Sequence, residues 1–317
     1  MSFVGIDVSK KELVLFHWES KISWKAAQSP QGWTEVLTRL QELKVERIAL
    51  EATGAYERGI ADVLARAGMH VLRLNPRMAH DLAKGMGYLA KTDGVDAKAL
   101  AEIASIRPNH PRWAPPTQAD DELRQLVEWR LDLVESGTQE KNRLQMATSK
   151  FVQRSINLLI KQLDKAIDKV EKEIKARIKD QPELKLDAEL LDAEKGVGWI
   201  TAVSLLILLP EIGSATRGQI SLLAGLAPVA NDSGEQKGKR HIRGGRKAAR
   251  TALYMATVSA TTYNPEIAAF YRRLKETKGK ETKVALTAAM RKLLVRLNAK
   301  LRDAREQRRS ENSPKTA

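Results

Sequence analysis

Apolar and polar positions along the first hundred residues alternate in short blocks. Segments 3–9, 12–18 and 21–27 are predicted as β-strands, with Val14, Phe16 and Trp18 two apart and only Lys10-Lys11 between the first two segments. A helix is predicted over 30–43, where Trp33, Val36, Leu37 and Leu40 share one face. Ser29 suits its N-cap and Pro30 its first position. A strand over 47–51, a helix over 56–67, a strand over 70–75 and helices over 76–84 and 92–106 follow. The order βββαβαβα is an α/β pattern. It is also the order of the RNase H-like fold, whose first and fourth strands are neighbours, so Asp7 is expected beside Glu51.

The pattern then changes. Pro108, Pro111, Pro115 and Pro116 around Trp113 bar a continuous helix and mark a boundary. From 120 to 179 the chain reads as helix, and Ile156, Ile160, Leu163, Ile167, Val170 and Ile174 step by four and three. That seam predicts a coiled coil or a long helical hairpin. As one straight helix the segment would extend roughly 90 Å. Pro182 ends it. In a third unit, Lys195-Gly196-Val197-Gly198 precedes an apolar helix over 200–209, a helix–hairpin–helix-like text whose backbone N–H groups can hold a phosphate. The expected organisation is therefore an RNase H-like α/β domain over 1–107, linker and coiled-coil helices over 108–189, a mainly α domain over 190–302, and a basic disordered tail over 303–317.

Composition narrows the partners. A net charge of +15 points to a polyanion. The absence of cysteine excludes disulfides and thiolate metal sites and fits a reducing cytoplasm. The first residues do not read as a signal peptide, and no apolar run is long enough to span a bilayer, so no membrane partner is expected.

Four acids carry the candidate chemistry. Asp7 and Glu51 each end an apolar run, while Asp93 and Asp96 open a predicted helix on one face. Each alone is adequately read as a cap or a turn residue. Together they form a set of hard oxygen donors of the kind Mg2+ prefers. Two such ions stabilise the attacking and leaving oxygens of a phosphodiester, which points to phosphoryl transfer on nucleic acid.

The third unit adds Ala224-Gly225-Leu226-Ala227-Pro228 and then Asn231-Asp232-Ser233-Gly234. Lys237, Lys239, Arg240, Arg243, Arg246, Lys247 and Arg250 follow with no intervening acid. Ser-Gly by itself is an ordinary turn, and a basic run is ordinarily a solvated face. Gly238, Gly244 and Gly245 favour a phosphate cradle instead, because bare backbone approaches a ligand closely. Ser233 at its entrance is a nucleophile only if a base or a metal activates it.

Gly5-Ile6-Asp7-Val8-Ser9, Glu51-Ala52-Thr53-Gly54 and Lys91-Thr92-Asp93-Gly94-Val95-Asp96-Ala97 resemble the motifs of the DEDD transposases of bacterial insertion sequences, the "one-ten" family. Gly225-Leu226-Ala227-Pro228, Ser233-Gly234 and Arg250 resemble the signature of that family's C-terminal domain. The likeness extends over about 3–302, although Arg243-Gly244-Gly245-Arg246 is more basic than the family pattern. The resemblance implies a RuvC-like domain binding Mg2+ through Asp7, Glu51, Asp93 and Asp96. It also implies catalysis by Ser233 through a covalent phosphoserine–DNA intermediate, DNA as substrate, and a structured bridge RNA as guide. A nucleoid-associated homo-oligomer, dimer or tetramer through the coiled coil, is expected. A straight central helix would make its active sites shared between protomers. The rival readings are a nuclease or junction resolvase that hydrolyses DNA without Ser233, and a non-catalytic scaffold.

Overall fold

The computed structural model describes residues 1–312 apart from Thr53, Ala55, Lys91, Asn231, Gly234, Glu235 and Lys239, and without the side chains of Ser233, Gln236, Lys237 and Asn312. The chain divides into two compact units, Met1–Thr117 and Gln118–Ala317.

The first unit contains β1 (Phe3–Val8), β2 (Glu12–His17), β3 (Ile22–Ala27), α1 (Pro30–Glu42), β4 (Arg47–Glu51), α2 (Arg58–Arg66), β5 (His70–Leu74), α3 (Pro76–Gly85) and α4 (Asp93–Ile106). One five-stranded sheet has the order β3-β2-β1-β4-β5. The β1–β2 and β2–β3 pairs are antiparallel, while β1–β4 and β4–β5 are parallel. This is the expected RNase H-like arrangement, with the first and fourth strands adjacent.

Period-two alternation assigns the faces. Val4, Ile6 and Val8 of β1 and Ile48 and Leu50 of β4 share a core with Val36, Leu40, Ile60 and Leu64 of α1 and α2. The intervening Phe3 and Ala49 face the other way and are buried with Leu100, Ile103 and Ala104 of α4. Gly5, Asp7 and Glu51 therefore belong to the α4 face. The proline segment ends this unit: Trp113 donates its backbone N–H to Val71 O at 2.7 Å and its indole N–H to Asp62 at 3.2 Å. The boundary accordingly falls ten residues beyond the expected 107.

The second unit is mostly helical: α5 (Gln118–Met146), α6 (Lys150–Lys179), α7 (Pro182–Asp192), α8 (Trp199–Leu208) and α9 (Arg217–Leu223). Two small ladders follow, formed by β6 (Pro228–Val229), β7 (Asp232–Ser233), β8 (Gln236–Lys237) and β9 (His241–Ile242). β6 pairs with β9 and β7 with β8, both antiparallel. Then come α10 (Lys247–Tyr263), α11 (Pro265–Arg272), a π-helical turn (Arg273–Thr277) and α12 (Thr282–Asn312).

Three expectations are corrected here. Of the two forms expected for 120–179 the structure has the long helical hairpin, so the straight helix behind the shared-site expectation is excluded. The chain turns back between Met146 and Lys150, beyond Ser136 and Gly137, which remain inside α5. The α6 seam is buried or half-buried in this hairpin, which Arg130–Glu171 at 2.7 Å and the Arg177–Glu122 pair also fasten. The seam is thus satisfied within one chain, and the length argument for shared active sites falls away.

Secondly, α5 and α6 do not stand apart as a middle domain. Leu123, Val127, Ile174 and Ile178 join one core with helices α7 to α12. Thirdly, residues 303–312 are helical, not a disordered tail. Arg305 and Arg308 reach back to the buried Asp187, and Arg305 also donates to Ile212 O at 2.9 Å. Charge that composition alone reads as solvating is here paired with an anion.

Gly196, in the turn between α7 and α8, has φ +94°, and a Cβ there would lie 2.6 Å from the Ala260 backbone of α10. Close helix packing accounts for this glycine, without any phosphate.

Candidate active site and nucleic-acid interface

In the first unit, Asp7 follows Ile6, which lies opposite Leu50 in the parallel ladder, and Glu51 follows Leu50. The two carboxylates thus occupy neighbouring positions at the C-terminal ends of adjacent strands, on the face covered by α4. At Gly5, any Cβ would overlap the backbone of Ala97 and Ala101 and lie 2.8 Å from Leu100 Cβ. Helix α4 rests directly on β1 because this strand position has no side chain. Its C-terminal half packs near Phe3, and Ala97 packs near Val14, the residue after Leu13 and opposite Asp7. The helix therefore runs antiparallel to β1, with its first turn at the Asp7 end.

That first turn contains Asp93 and Asp96. Thr92 caps it, accepting the Val95 N–H at 3.3 Å, and a helix N-terminus favours the negative charge. Lys25, on the strand beside Val14, ion-pairs with Glu12 at 2.9 Å; its hydrogen bond to Glu12, together with the charges of Glu12 and Asp93, raises its pKa. All four acids thus converge on one end of the sheet. Asp7, Glu51 and Asp96 are half-buried and Asp93 is exposed. Among the described residues, no three acids or histidines close into a metal cage. The donor set itself, carboxylate oxygens without sulfur or imidazole, fits a hard divalent cation.

Sequence reasoning overlooked the supports of this site. Glu57, fully buried ahead of α2, accepts from Arg73 at 2.9 and 2.5 Å, and Arg73 also stacks on Trp113 at 4.8 Å. This fastens the loop that follows Glu51. A cation inside the apolar run His70-Val71-Leu72-Arg73-Leu74 was the available signal, since a buried charge requires a counter-charge. Tyr88 donates to Glu102 at 2.6 Å, tying the segment before Asp93 to α4. Burial and the bond to Glu102 raise the Tyr88 pKa, so the phenol stays protonated.

In the second unit, β7 and β8 form a hairpin in which Ser233 lies opposite Gln236. The ladder of Pro228 with Ile242 and Val229 with His241 closes the base of the loop carrying that hairpin. The Ser233 and Lys237 side chains and all of Lys239 lie outside the described residues. Arg240 is exposed and lies 3.8 Å from Asp232; Arg243 is exposed, and Lys247 begins α10.

Arg246 and Arg250 are engaged differently. Arg246 grips Glu211 in bidentate fashion at 2.5 and 2.6 Å and donates to Leu208 O. Burial alone would raise the Glu211 pKa, but Arg246 outweighs it and the carboxyl titrates below its ordinary range. Arg250 Nη1 bridges Ala224 O and Gly244 O at 3.0 Å each. Gly225, Gly244 and Gly245 all have φ near +67°, individually 66°, 68° and 68°. A Cβ on Gly225 would strike Gly244 O, and one on Gly245 would strike the Gly225 backbone. Glycine at 225 and 245 brings two stretches of backbone against each other. The result is a cross-brace that fixes the end of the basic loop to the end of α9.

The first unit thus offers an acidic edge on an RNase H-like sheet, and the second offers a braced basic loop. A DEDD transposase model matches residues 4–151, and the model described as "Transposase IS116/IS110/IS902 family" matches residues 188–272. The chain belongs to the IS110 family of transposases and is a DNA recombination enzyme. It is also similar to the pilin gene-inverting proteins of Moraxella lacunata and Moraxella bovis, each 29% identical over 96% of this chain and 97% of the relative. Membership of the DEDD class points to divalent-metal use. Among the described residues, no helix is long and apolar enough to cross a membrane.

Proposed function

We propose that this transposase cuts and rejoins DNA through a transient serine–DNA bond, with Asp7, Glu51, Asp93 and Asp96 holding Mg2+. The observation that carries the reading is the convergence of two strand-end carboxylates and the acidic first turn of α4 on one sheet edge. When bound there, Mg2+ would supply Lewis-acid stabilisation of phosphodiester charge. The Ser233 oxygen attacks phosphorus, forming an O–P bond as the bond to the departing deoxyribose oxygen breaks, and that oxygen leaves as a hydroxyl with the proton serine gives up. A hydroxyl on the new partner strand then attacks the same phosphorus, and serine is released with its proton restored.

Lys237, Lys239, Arg240, Arg243 and Lys247 hold phosphates in this reading. Arg246 and Arg250 position the loop, because their guanidinium groups are spent on Glu211 and on two carbonyls. A bridge RNA selects the DNA segments, and the net charge of +15 suits two polyanions at once. At least two copies of the chain assemble, because joining needs two duplexes held together. The relatives named for pilin gene inversion support a reaction that reorders segments without net loss of DNA. The test is strand joining on DNA flanking this gene, with its transcript and Mg2+. Ser233→Ala should abolish both cutting and joining. A variant that still cuts would identify a plain nuclease.

A further inference from the structure

At the base of the Ser233 loop lies a cavity of about 270 Å³, bounded by Leu226, Pro228 and Ile242 on one side and by Val284, Thr287 and Ala288 of α12 on the other. Ile242 and Val284 are 38% and 51% exposed, so the cavity presents open apolar surface in a strongly basic region. Its remaining lining is cationic: Arg240, His241, Lys283 and Arg291, with no acid among the described lining residues. Arg291 is oriented by the fully buried Ser221, whose hydroxyl lies 3.3 Å from its Nε.

A bare phosphate would gain nothing from the apolar walls, and an apolar peptide would gain nothing from the cations. A nucleotide carries both chemistries: a flat ring that gains from leaving water, and a phosphate on either side. The cavity falls below the roughly 300–1,000 Å³ of sites that enclose drug-sized ligands, which suits a single base. Its position matters equally. Pro228 and Ile242 are the rungs that close the loop carrying Ser233, so a base held here anchors the strand beside that loop.

We propose that this cavity receives one unstacked base of the DNA substrate, with Arg240, Lys283 and Arg291 taking the flanking phosphates. The inference rests on the recombinase reading above and adds a strand-distorting step to it. Enzymes that do chemistry on a base extract it from the stack into a pocket in this manner.

The test uses the full chain and duplexes of the DNA flanking its gene, with 2-aminopurine placed at successive positions and Ca2+ replacing Mg2+. Anisotropy reports binding and 2-aminopurine intensity reports unstacking. The proposal expects a severalfold rise at one position, lost in Ala288→Trp, which fills the cavity, and in Ile242→Ser, which removes a wall, under conditions where anisotropy shows both variants saturated with the duplex. Binding without a rise at any position, or a rise undiminished in both variants, overturns the cavity and leaves recombination standing. A rise with RNA of the same sequence but not with DNA also overturns it. No DNA binding at all overturns both readings.

Discussion

Gly5 offers the sharpest perturbation, because it links strand packing to the geometry of the acids. In Gly5→Ala the new methyl carbon would overlap Ala97 O and Ala101 N and lie 2.8 Å from Leu100 Cβ, where ordinary contact begins at 3.4 Å. Backbone cannot rotate aside as a side chain can, so α4 must retreat by roughly 1 Å or more. Overpacking of this kind costs about 1–3 kcal/mol, which a folded unit tolerates. The retreat moves Asp93 and Asp96 away from Asp7 and Glu51, and a displacement of about 1 Å at a reacting centre costs on the order of 100-fold in rate.

Gly94, within the same motif, is the control. A Cβ there meets nothing within 4 Å, and its φ is not positive. Gly94→Ala should therefore stabilise α4 by about 0.4–1 kcal/mol and leave the rate intact. The assay is Mg2+-dependent cleavage of flanking DNA, with hydrogen exchange across α4 confirming that the helix is folded. Wild-type cleavage by Gly5→Ala, at an unchanged Mg2+ requirement, would refute the claim that this contact sets the site.

Three further outcomes follow from the second unit. Arg250→Ala should cost roughly 2 kcal/mol in protection of the α9–α10 amides while leaving the salt dependence of DNA binding unchanged; Arg243→Ala should lower that slope by about 0.9 without a stability change. Asp187→Ala strands Arg305 and Arg308, and with both guanidinium groups about one-third exposed the loss is roughly 2 kcal/mol, read as proteolysis within residues 303–312. Burial alone would raise the Glu194 pKa, but Asn264 and Arg296 outweigh it and hold it below 4.5. Its stabilising contribution is therefore complete above pH 4.5 and lost as pH falls through the depressed value, and urea unfolding of Glu194→Gln should show a weaker acid dependence.

The α/β unit was legible because strand alternation and helix periodicity are local signals, and the capping residue Ser29 acts where the text placed it. The acid positions on strand ends were legible for the same reason. What escaped were pairings across long sequence separations. Arg305 and Arg308 read as tail residues because Asp187 stands more than a hundred residues earlier. The bonds of Arg250 to Ala224 O and Gly244 O were invisible because backbone carbonyls carry no residue-type signal. A helical hairpin was among the expected forms, but the place of its turn at Met146 was hidden because both arms share the periodicity of one long helix. Gly245 was correctly singled out as a close-approach position, the approaching group being the Gly225 backbone, whereas a Cβ on Gly244 would meet nothing within 4 Å.

The most direct measurement is a denaturing gel of the chain incubated with flanking DNA, its transcript and Mg2+, followed by mass spectrometry of any adduct. The account predicts a covalent nucleotide on Ser233 that accumulates with Mg2+ and disappears in Asp7→Asn and in Ser233→Ala. Joined DNA formed without any adduct, or an adduct that persists in Ser233→Ala, would contradict it.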